Sequence, residues 1–342
     1  MGGNKSRELI ERSSRTHEIT VGLSAHGTEK DIRYLENILK TARELGQPYH
    51  AICTENYLLT EKEWRERLKI NEENKESLSR SMEGILAKGI GRKEAERRLF
   101  ESCVKGATGH TAHPEVEASL LMLAWKHNLP YIDIEYYSPE EKKMLKTLNN
   151  TYTSLHEQAT SANKSFSEKE KILERAKKVE GFYLQLRNRR IAEVAPNVAG
   201  FLKHTYPELR KHDSLRLLYQ VGNGHAGAVL EKQEGISFSP AFSPEETPNL
   251  VQDLELRLSL NPEAKLTDAE RRRIVLDSEL GSVLLGLYKE GKTDAISTLR
   301  SSVTKITAEE YKELEKAAGD KPVKVRGQII AEYLFKKMGK LQ

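Results

Sequence analysis

Two histidines stand in glycine-flanked segments, each of which follows a short β-branched or apolar run. Gly22 precedes His26, and Gly222 and Gly224 precede His225. Glycine lets the backbone turn sharply and come close to a ligand. If both runs are parallel strands of one open sheet, the two turns lie beyond its carboxyl edge, where such sheets bind their ligands. We therefore predict that the two imidazoles meet at that edge.

Carboxylates follow the predicted strands in the same way. Glu55 ends the second predicted strand, and Asp133 and Glu135 end the third. Glu115 and Glu117 lie in the first turn and a half of the helix that precedes the third strand. The pattern predicts that acidic groups line the same edge as the histidines.

Neutral imidazole together with carboxylate is the ligand set expected for Zn²⁺, Mn²⁺ or Co²⁺. His26, His225 and Glu55 are the candidate ligands, and Glu115 is a further ligand or base. A divalent ion polarises a carbonyl group and lowers the pKa of bound water. A carboxylate outside the coordination sphere then serves as general base. This chemistry is metal-assisted hydrolysis.

Each feature also has a structural explanation. A histidine beside glycine in a strand-to-helix turn is commonly a capping or packing residue, and acidic residues in a first helical turn are ordinary partners of the helix dipole. His110 and His113 form a second pair, as ligands or as solvated loop residues. Polar residues from several separate segments are all predicted to lie at one edge of the sheet. This convergence favours a functional site over the structural explanations.

The elements that must position these residues alternate between strands and helices. Apolar and β-branched runs predict strands at 18–23, 50–54, 131–134 and 215–221, and helical spacing predicts a crossover helix over 28–45. Such βαβ units require parallel strands. We predict an α/β fold, with a mostly parallel β-sheet of βαβ units flanked by helices.

The remaining segments are helical and divide the chain into three regions. Residues 1–17 are predicted to be a flexible N-terminus, and 18–247 an α/β domain with helical insertions at about 60–106 and 139–183. After Pro248 strand signals vanish, so 248–342 is predicted to be an α-helical C-terminal region.

Composition narrows the classes of partner. The 342 residues include 55 basic and 51 acidic side chains, a formal net charge of +4, which is too small over this length to indicate nucleic acid or anionic membrane. No apolar run approaches the roughly 18 residues of a membrane span, and the first residues lack a signal peptide's apolar region. We expect a cytoplasmic protein; whether it forms a homo-oligomer stays open.

Beyond these patterns, the chain resembles the TraB/PrgY and TIKI (GumN-like) family, within the wider erythromycin-esterase and ChaN-like superfamily. The segment from Gly222 to His225 matches the family's second Gly-x-x-His turn, and Arg187-Asn188-Arg-Arg-Ile-Ala resembles its Arg-Asp/Asn-x-x-Met-Ala helix. Glu55 stands where the family has a strand-end glutamate.

The resemblance covers roughly residues 18–240, and one part departs from the family pattern. Glu115 and, later, Asp133 resemble the family's glutamate-to-aspartate stretch. In the first turn, three residues rather than two separate Gly22 from His26, and the sequence His26-Gly-Thr is closer to the erythromycin-esterase branch.

The resemblance implies three chemistries. TIKI-like members are metal-dependent peptidases, erythromycin esterases open a lactone, and ChaN-like proteins bind haem iron. Arg187 would hold a carboxylate ligand or a substrate anion in place, beside Asn188. A metal-dependent hydrolase of peptidase or esterase type, with a peptide or small-molecule substrate, is the leading expectation. A non-catalytic protein that sequesters a small molecule, a peptide or haem in the same pocket is the alternative. An adaptor associated with nucleic acid is disfavoured by the near-neutral charge.

Overall fold

The fold is known from a computed structural model. The residues that it describes are 17–24, 29–55, 58–107, 114–161, 164–222, 225, 227–228, 233–242, 254, 257–289, 292–319 and 321–339.

The described strands form one parallel sheet. They are β1 (His17–Ser24), β2 (Ala51–Thr54), β3 (Tyr131–Asp133), β4 (Arg216–Gly222) and β5 (Ile236–Phe242). Their order is β3-β2-β4-β1-β5, and every adjacent pair is parallel. The predicted α/β fold with a parallel sheet is confirmed. β4 lies between β1 and β2, so the residue that follows β4 shares an edge with those that follow β2.

Helices connect the strands and make up most of the rest of the described chain. Those that precede β4 are α1 (Glu29–Glu44), α2 (Glu61–Leu86), α3 (Arg92–Ala107), α4 (Pro114–His127), α5 (Pro139–Thr160) and α6 (Phe166–Thr205). Those that follow β5 are α7 (Asp268–Lys289), α8 (Thr293–Val303), α9 (Ala308–Ala318) and α10 (Val323–Gly339). Within the described ranges, we find no helix long and apolar enough to cross a bilayer.

The chain divides into two compact units, and their boundaries differ from the predicted ones. One unit, the α/β unit, comprises Met1–Met144 and Leu186–Thr247. The other, the helical unit, comprises Leu145–Gln185 and Pro248–Gln342. The segment predicted as an insertion of the α/β domain over 139–183 thus belongs mostly with the C-terminal helices. Its helices bury apolar side chains in the same core as α7 to α10.

The second half of α6 covers one face of the sheet. Ile191, Ala195, Val198 and Leu202 recur at helical spacing and are fully buried against alternate residues of the strands. This apolar stripe places the preceding turn of the helix, at Arg187–Asn188, over the carboxyl edge. The other face is covered by a separate core that includes α1 and α4.

Three histidines lie at the opposite edge of the sheet, where the strands begin. The Nδ1 atom of His50 accepts a hydrogen bond from the Arg216 amide at 2.8 Å, and Nδ1 of His17 accepts one from the Leu215 amide at 2.9 Å. The ring centroid of His212 lies 4.3 Å from that of His50, with the two planes tilted by 56°. A ring nitrogen that accepts a hydrogen bond carries no proton. The two hydrogen bonds therefore require neutral rings at His17 and His50.

We expect acid to weaken this edge first. Burial lowers the pKa of His50 from 6.5 to about 4, with smaller contributions from His212, Arg216 and Lys203. The neutral ring therefore stabilises the fold above about pH 6.5, and that stabilisation is lost as the pH falls from 6.5 towards 4. Urea midpoints at pH 7.5, 5.5 and 4.5 should fall more steeply for the wild type than for His50→Gln. The exposed His204 provides the control, since His204→Gln should keep the wild-type slope.

Candidate functional site

Polar side chains follow three adjacent strands where each strand ends. Glu55 comes directly after β2, Glu135 follows β3, and His225 follows β4. Because β3, β2 and β4 are neighbours and run in the same direction, their carboxyl ends lie along one edge. The site is therefore built by the strand order, from segments far apart in the chain.

His225 is held at both of its ring nitrogens. Its Nε2 atom lies 2.7 Å from Oε2 of Glu55, and its Nδ1 atom lies 2.7 Å from Oδ1 of Asn188. The residue is 3% exposed. Asn188 arrives from α6, one turn before the apolar stripe that fixes this helix on the sheet. The ring is therefore fixed in position and orientation by the strand and the helix together.

Arg187, the neighbour of Asn188, joins two carboxylates. Its Nη2 atom lies 3.1 Å from Oε2 of Glu55 and also pairs with Glu135, to which its Nε donates at 3.3 Å. The hydroxyl of Tyr137 donates to the same Glu135 carboxylate. Arg187 is 8% exposed and Glu135 is fully buried. One guanidinium thus compensates two acidic groups, the fully buried Glu135 and the mostly buried Glu55.

The contacts of this cluster allow two arrangements of protons on His225. Its Nε2 atom lies against Oε2 of Glu55 as a charge contact, and because an ionised carboxylate only accepts, a hydrogen bond there would need a proton on Nε2. If Nδ1 also donates to the Asn188 carbonyl, the ring is an imidazolium. If the Asn188 amide is turned over, its NH₂ group donates to an unprotonated Nδ1 and the ring is neutral. In both arrangements each ring nitrogen has a partner.

Tyr219 adds a hydroxyl that nothing described in the chain satisfies. The residue lies in the middle of β4, is fully buried on the α6 face, and its hydroxyl has no hydrogen-bond partner among the described residues. Burial, and then the nearby carboxylates of Glu55 and Glu135, raise the pKa of this phenol well above its usual value. At neutral pH the hydroxyl is therefore protonated and can donate.

The structure brings together four of the residues predicted for the site. Glu55, Arg187, Asn188 and His225 form one connected cluster. His26 and Gly224 lie outside the described residues, as do His110 and His113. The predicted meeting of His26 with His225 therefore stays a prediction.

Glu115 and Asp133 are not part of this cluster. The side chain of Glu115 is exposed and has no hydrogen bond or ion pair with any described residue. Its neighbour Glu117 is the buried carboxylate of that helix, and Arg67 pairs with it. Asp133 lies on the same face of β3 as Tyr131, opposite to Ile132, which packs on the α6 side. Helix and strand periodicity, rather than position in the chain, excludes both from the contacts that hold His225.

Gly22 and Gly222, the two described glycines among those predicted to border the site, have different surroundings. A Cβ atom at Gly22 would lie 3.0 Å from Leu35 Cδ2 and 3.1 Å from Gln220 Oε1. Gly22 therefore allows close packing between β1 and its neighbours α1 and β4. Gly222 ends β4, opposite Ser24, and no described contact links it to a ligand role.

Sequence reasoning missed Tyr137 and Tyr219, and named Glu135 only as one more strand-end carboxylate. The signal for Tyr219 was available, since in the run Leu215–Val221 it alternates with Leu217 onto one face. A single polar group on the buried face of a central strand indicates a site. Tyr137 lies beyond the end of β3, where periodicity gives no direction.

Two donors suited to a divalent metal are close together in this cluster. His225 provides an imidazole and Glu55 a carboxylate, the donor set of Zn²⁺ and Mn²⁺. The contact from Asn188 to the other ring nitrogen is of the kind that orients a metal-binding histidine. Among the described residues, no group of three His, Cys, Asp or Glu side chains is arranged to hold a metal ion. The predicted third ligand, His26, is outside them.

Comparison of the chain with protein-family models, with curated proteins and with solved structures finds no match. The fold and the cluster define the class: an α/β protein whose described strands form one all-parallel sheet, with a largely buried His–Glu–Arg–Asn cluster at its carboxyl edge.

Proposed function

We propose that this protein is a metal-dependent hydrolase of peptidase or esterase type, acting on a peptide or a small molecule. The observation that carries the proposal is the buried contact between His225 and Glu55, which Asn188 and Arg187 hold from one helix. The resemblance of the Arg187-Asn188 segment and of the His225 turn to TraB- and TIKI-like proteins supports it.

Within this proposal each side chain has a separate role. Asn188 keeps the His225 ring in one orientation, and Arg187 keeps the Glu55 carboxylate ionised and aimed at that ring. A divalent ion held by His225 and Glu55, with His26 as the predicted third ligand, would polarise the scissile carbonyl and acidify water. The buried position of the cluster strengthens every one of these electrostatic interactions.

We expect His225→Ala to remove metal binding and turnover without unfolding the chain. The replaced ring touches the metal in this proposal, whereas Asn188 only orients it, so Asn188→Ala should weaken metal binding less, by about 10- to 100-fold. The measurements are metal content of the purified protein, titration with Mn²⁺, Co²⁺ and Zn²⁺, and turnover of ester and peptide libraries. His204→Ala, at an exposed histidine, should behave as the wild type. Wild-type metal affinity in His225→Ala would refute the proposal.

The second candidate is a binding protein that holds a small molecule, a peptide or haem at the same cluster. The observation that favours it is that Glu55 and Asn188 hold the His225 ring from both of its nitrogens, which suits a ring that keeps a ligand in place. Retention of a ligand through purification, with no turnover in the presence of Mn²⁺ or Co²⁺, would select this candidate.

A further inference from the structure

The starting observation is the buried hydroxyl of Tyr219. β4 is the central strand of the sheet, and Tyr219 lies between Val21 of β1 and Cys53 of β2 in the register. The side chain is fully buried on the α6 face and lies close enough to Glu55, Glu135 and Arg187 to interact with their charges. Its hydroxyl nevertheless has no hydrogen-bond partner among the described residues.

A buried hydroxyl without a hydrogen bond destabilises the folded protein, unless a group outside the described residues accepts its hydrogen bond. Buried polar groups in native proteins are almost always hydrogen-bonded, and an exception requires an explanation. Phenylalanine would fill the same space at no such cost. The neighbours of Tyr219 are the residues that position His225, so the group that would complete the hydroxyl belongs to this cluster.

We propose that the Tyr219 hydroxyl is the hydrogen-bond donor for the carbonyl oxygen of the substrate, an ester or an amide. This inference rests on the proposed hydrolase function and adds a catalytic residue to it. The substrate class follows from the chemistry of the donor, since a neutral phenol donates to a developing oxyanion without itself losing a proton. Arg187 forms ion pairs with both carboxylates, so their charge is compensated without the phenol.

Every bond and every proton of the step that this arrangement supports is accounted for. The oxygen of a water molecule bonds to the carbonyl carbon while a proton passes from that water to a carboxylate that does not hold the metal. The π electron pair moves onto the carbonyl oxygen, which accepts a hydrogen bond from Tyr219. As the carbonyl re-forms, the bond to the leaving group breaks and the leaving group takes the proton from that carboxylate.

The test compares two buried tyrosines from two strands of one sheet, Tyr219 of β4 and Tyr131 of β3. Tyr219→Phe should lower kcat about 100- to 1,000-fold, as the loss of one oxyanion donor does elsewhere, with little change in KM. Its melting temperature should equal or exceed that of the wild type, because no hydrogen bond is lost. Tyr131 is the matched control: it is equally buried on the other face, and its hydroxyl bonds to Thr54. Tyr131→Phe should melt lower and keep its kcat.

The substrates are p-nitrophenyl esters and a fluorogenic peptide library, assayed with added Mn²⁺ or Zn²⁺. Wild-type turnover with an unchanged kcat in Tyr219→Phe would overturn this inference and leave the proposed function standing. A melting temperature lowered as much as that of Tyr131→Phe would also overturn it, since the hydroxyl would then have a structural partner. Absence of wild-type turnover on every substrate would remove the proposed function and this inference with it.

Discussion

Replacement of Arg187 by methionine is expected to destabilise the α/β unit by about 3–5 kcal/mol, the range for breaking a buried ion pair. Glu55 and Glu135 would then lie near each other without the cation that compensates both. Methionine fills much of the same volume, so the loss would be electrostatic rather than a loss of packing. The proposed function further predicts that metal binding and turnover disappear, because the Glu55 carboxylate would no longer be held against His225.

The tryptophans make this measurement specific to one unit. Trp64 and Trp125, the two tryptophans of the chain, both lie in the α/β unit, so urea unfolding followed by their fluorescence reports on that unit. Arg187→Lys should give an intermediate loss, because an ammonium keeps the charge but not the planar fork. Arg190→Met, three residues along the same helix and partly exposed, is the control and should shift the midpoint far less.

A second substitution, Glu135→Gln, tests whether unpaired carboxylates cause the loss of stability in Arg187→Met. If unpaired carboxylates are responsible, adding Glu135→Gln to Arg187→Met should recover part of the lost stability, since one buried charge is removed. Wild-type stability in Arg187→Met, or no recovery in the double variant, would show that Arg187 does not compensate these two groups.

Replacement of Glu279 by glutamine is expected to destabilise the helical unit by a similar amount, about 3–5 kcal/mol. Glu279 on α7 pairs with Lys169 on α6, and its other oxygen accepts from Nε of Arg326 on α10 at 3.0 Å. All three side chains are at most 2% exposed. Without the carboxylate, two cations would remain buried together. Burial, together with the nearby Arg326, lowers the pKa of Lys169 although Glu279 raises it, so part of the loss should be relieved by deprotonation of Lys169 at high pH.

The helices around Lys169, Glu279 and Arg326 are packed too closely to shift and relieve an unpaired charge. A Cβ atom at Gly327 of α10 would lie 2.6 Å from the Glu279 carbonyl oxygen, so the two helix backbones approach closely.

Far-ultraviolet circular dichroism is the appropriate signal for Glu279→Gln, since the tryptophans lie in the other unit. Replacing all three members by Met or Leu should restore most of the stability, because a well-packed apolar set avoids the desolvation of charge. Glu101→Gln, at an exposed helix pair, should leave the midpoint nearly unchanged. A Glu279→Gln midpoint like that of Glu101→Gln would contradict the prediction.

The strands of this protein were predictable because their patterns are local. The runs at 18–23, 50–54, 131–134 and 215–221 each became a strand of the parallel sheet within one or two residues. It was not predictable that residues 145–185 belong to the helical unit, because weak apolar periodicity does not indicate which hydrophobic core a helix packs into. Contacts with α7 to α10 decided it.

The candidate site was predictable to the same extent. Glu55, Arg187, Asn188 and His225 were named from strand ends, from their position in the chain and from a resemblance, and they are in contact. Between acidic neighbours the choice was harder. Glu117 rather than Glu115 is buried, and Glu135 rather than Asp133 pairs with Arg187. A shift of two residues moves a side chain about 200° around a helix, and the direction beyond a strand end follows no period.

The sequence by itself determined where the chain forms strands and helices, because hydrophobic periodicity and glycine or proline signals act over a few residues. It also determined which strand ends carry ionisable groups. Only the tertiary structure decided that β4 inserts between β1 and β2, and this order is what brings His225 to Glu55. It also decided that Arg187 compensates two carboxylates and that the buried Tyr219 lies close enough to interact with their charges. Such pairings depend on distances between segments far apart in the chain, and those distances arise only when the sheet and its covering helix pack together.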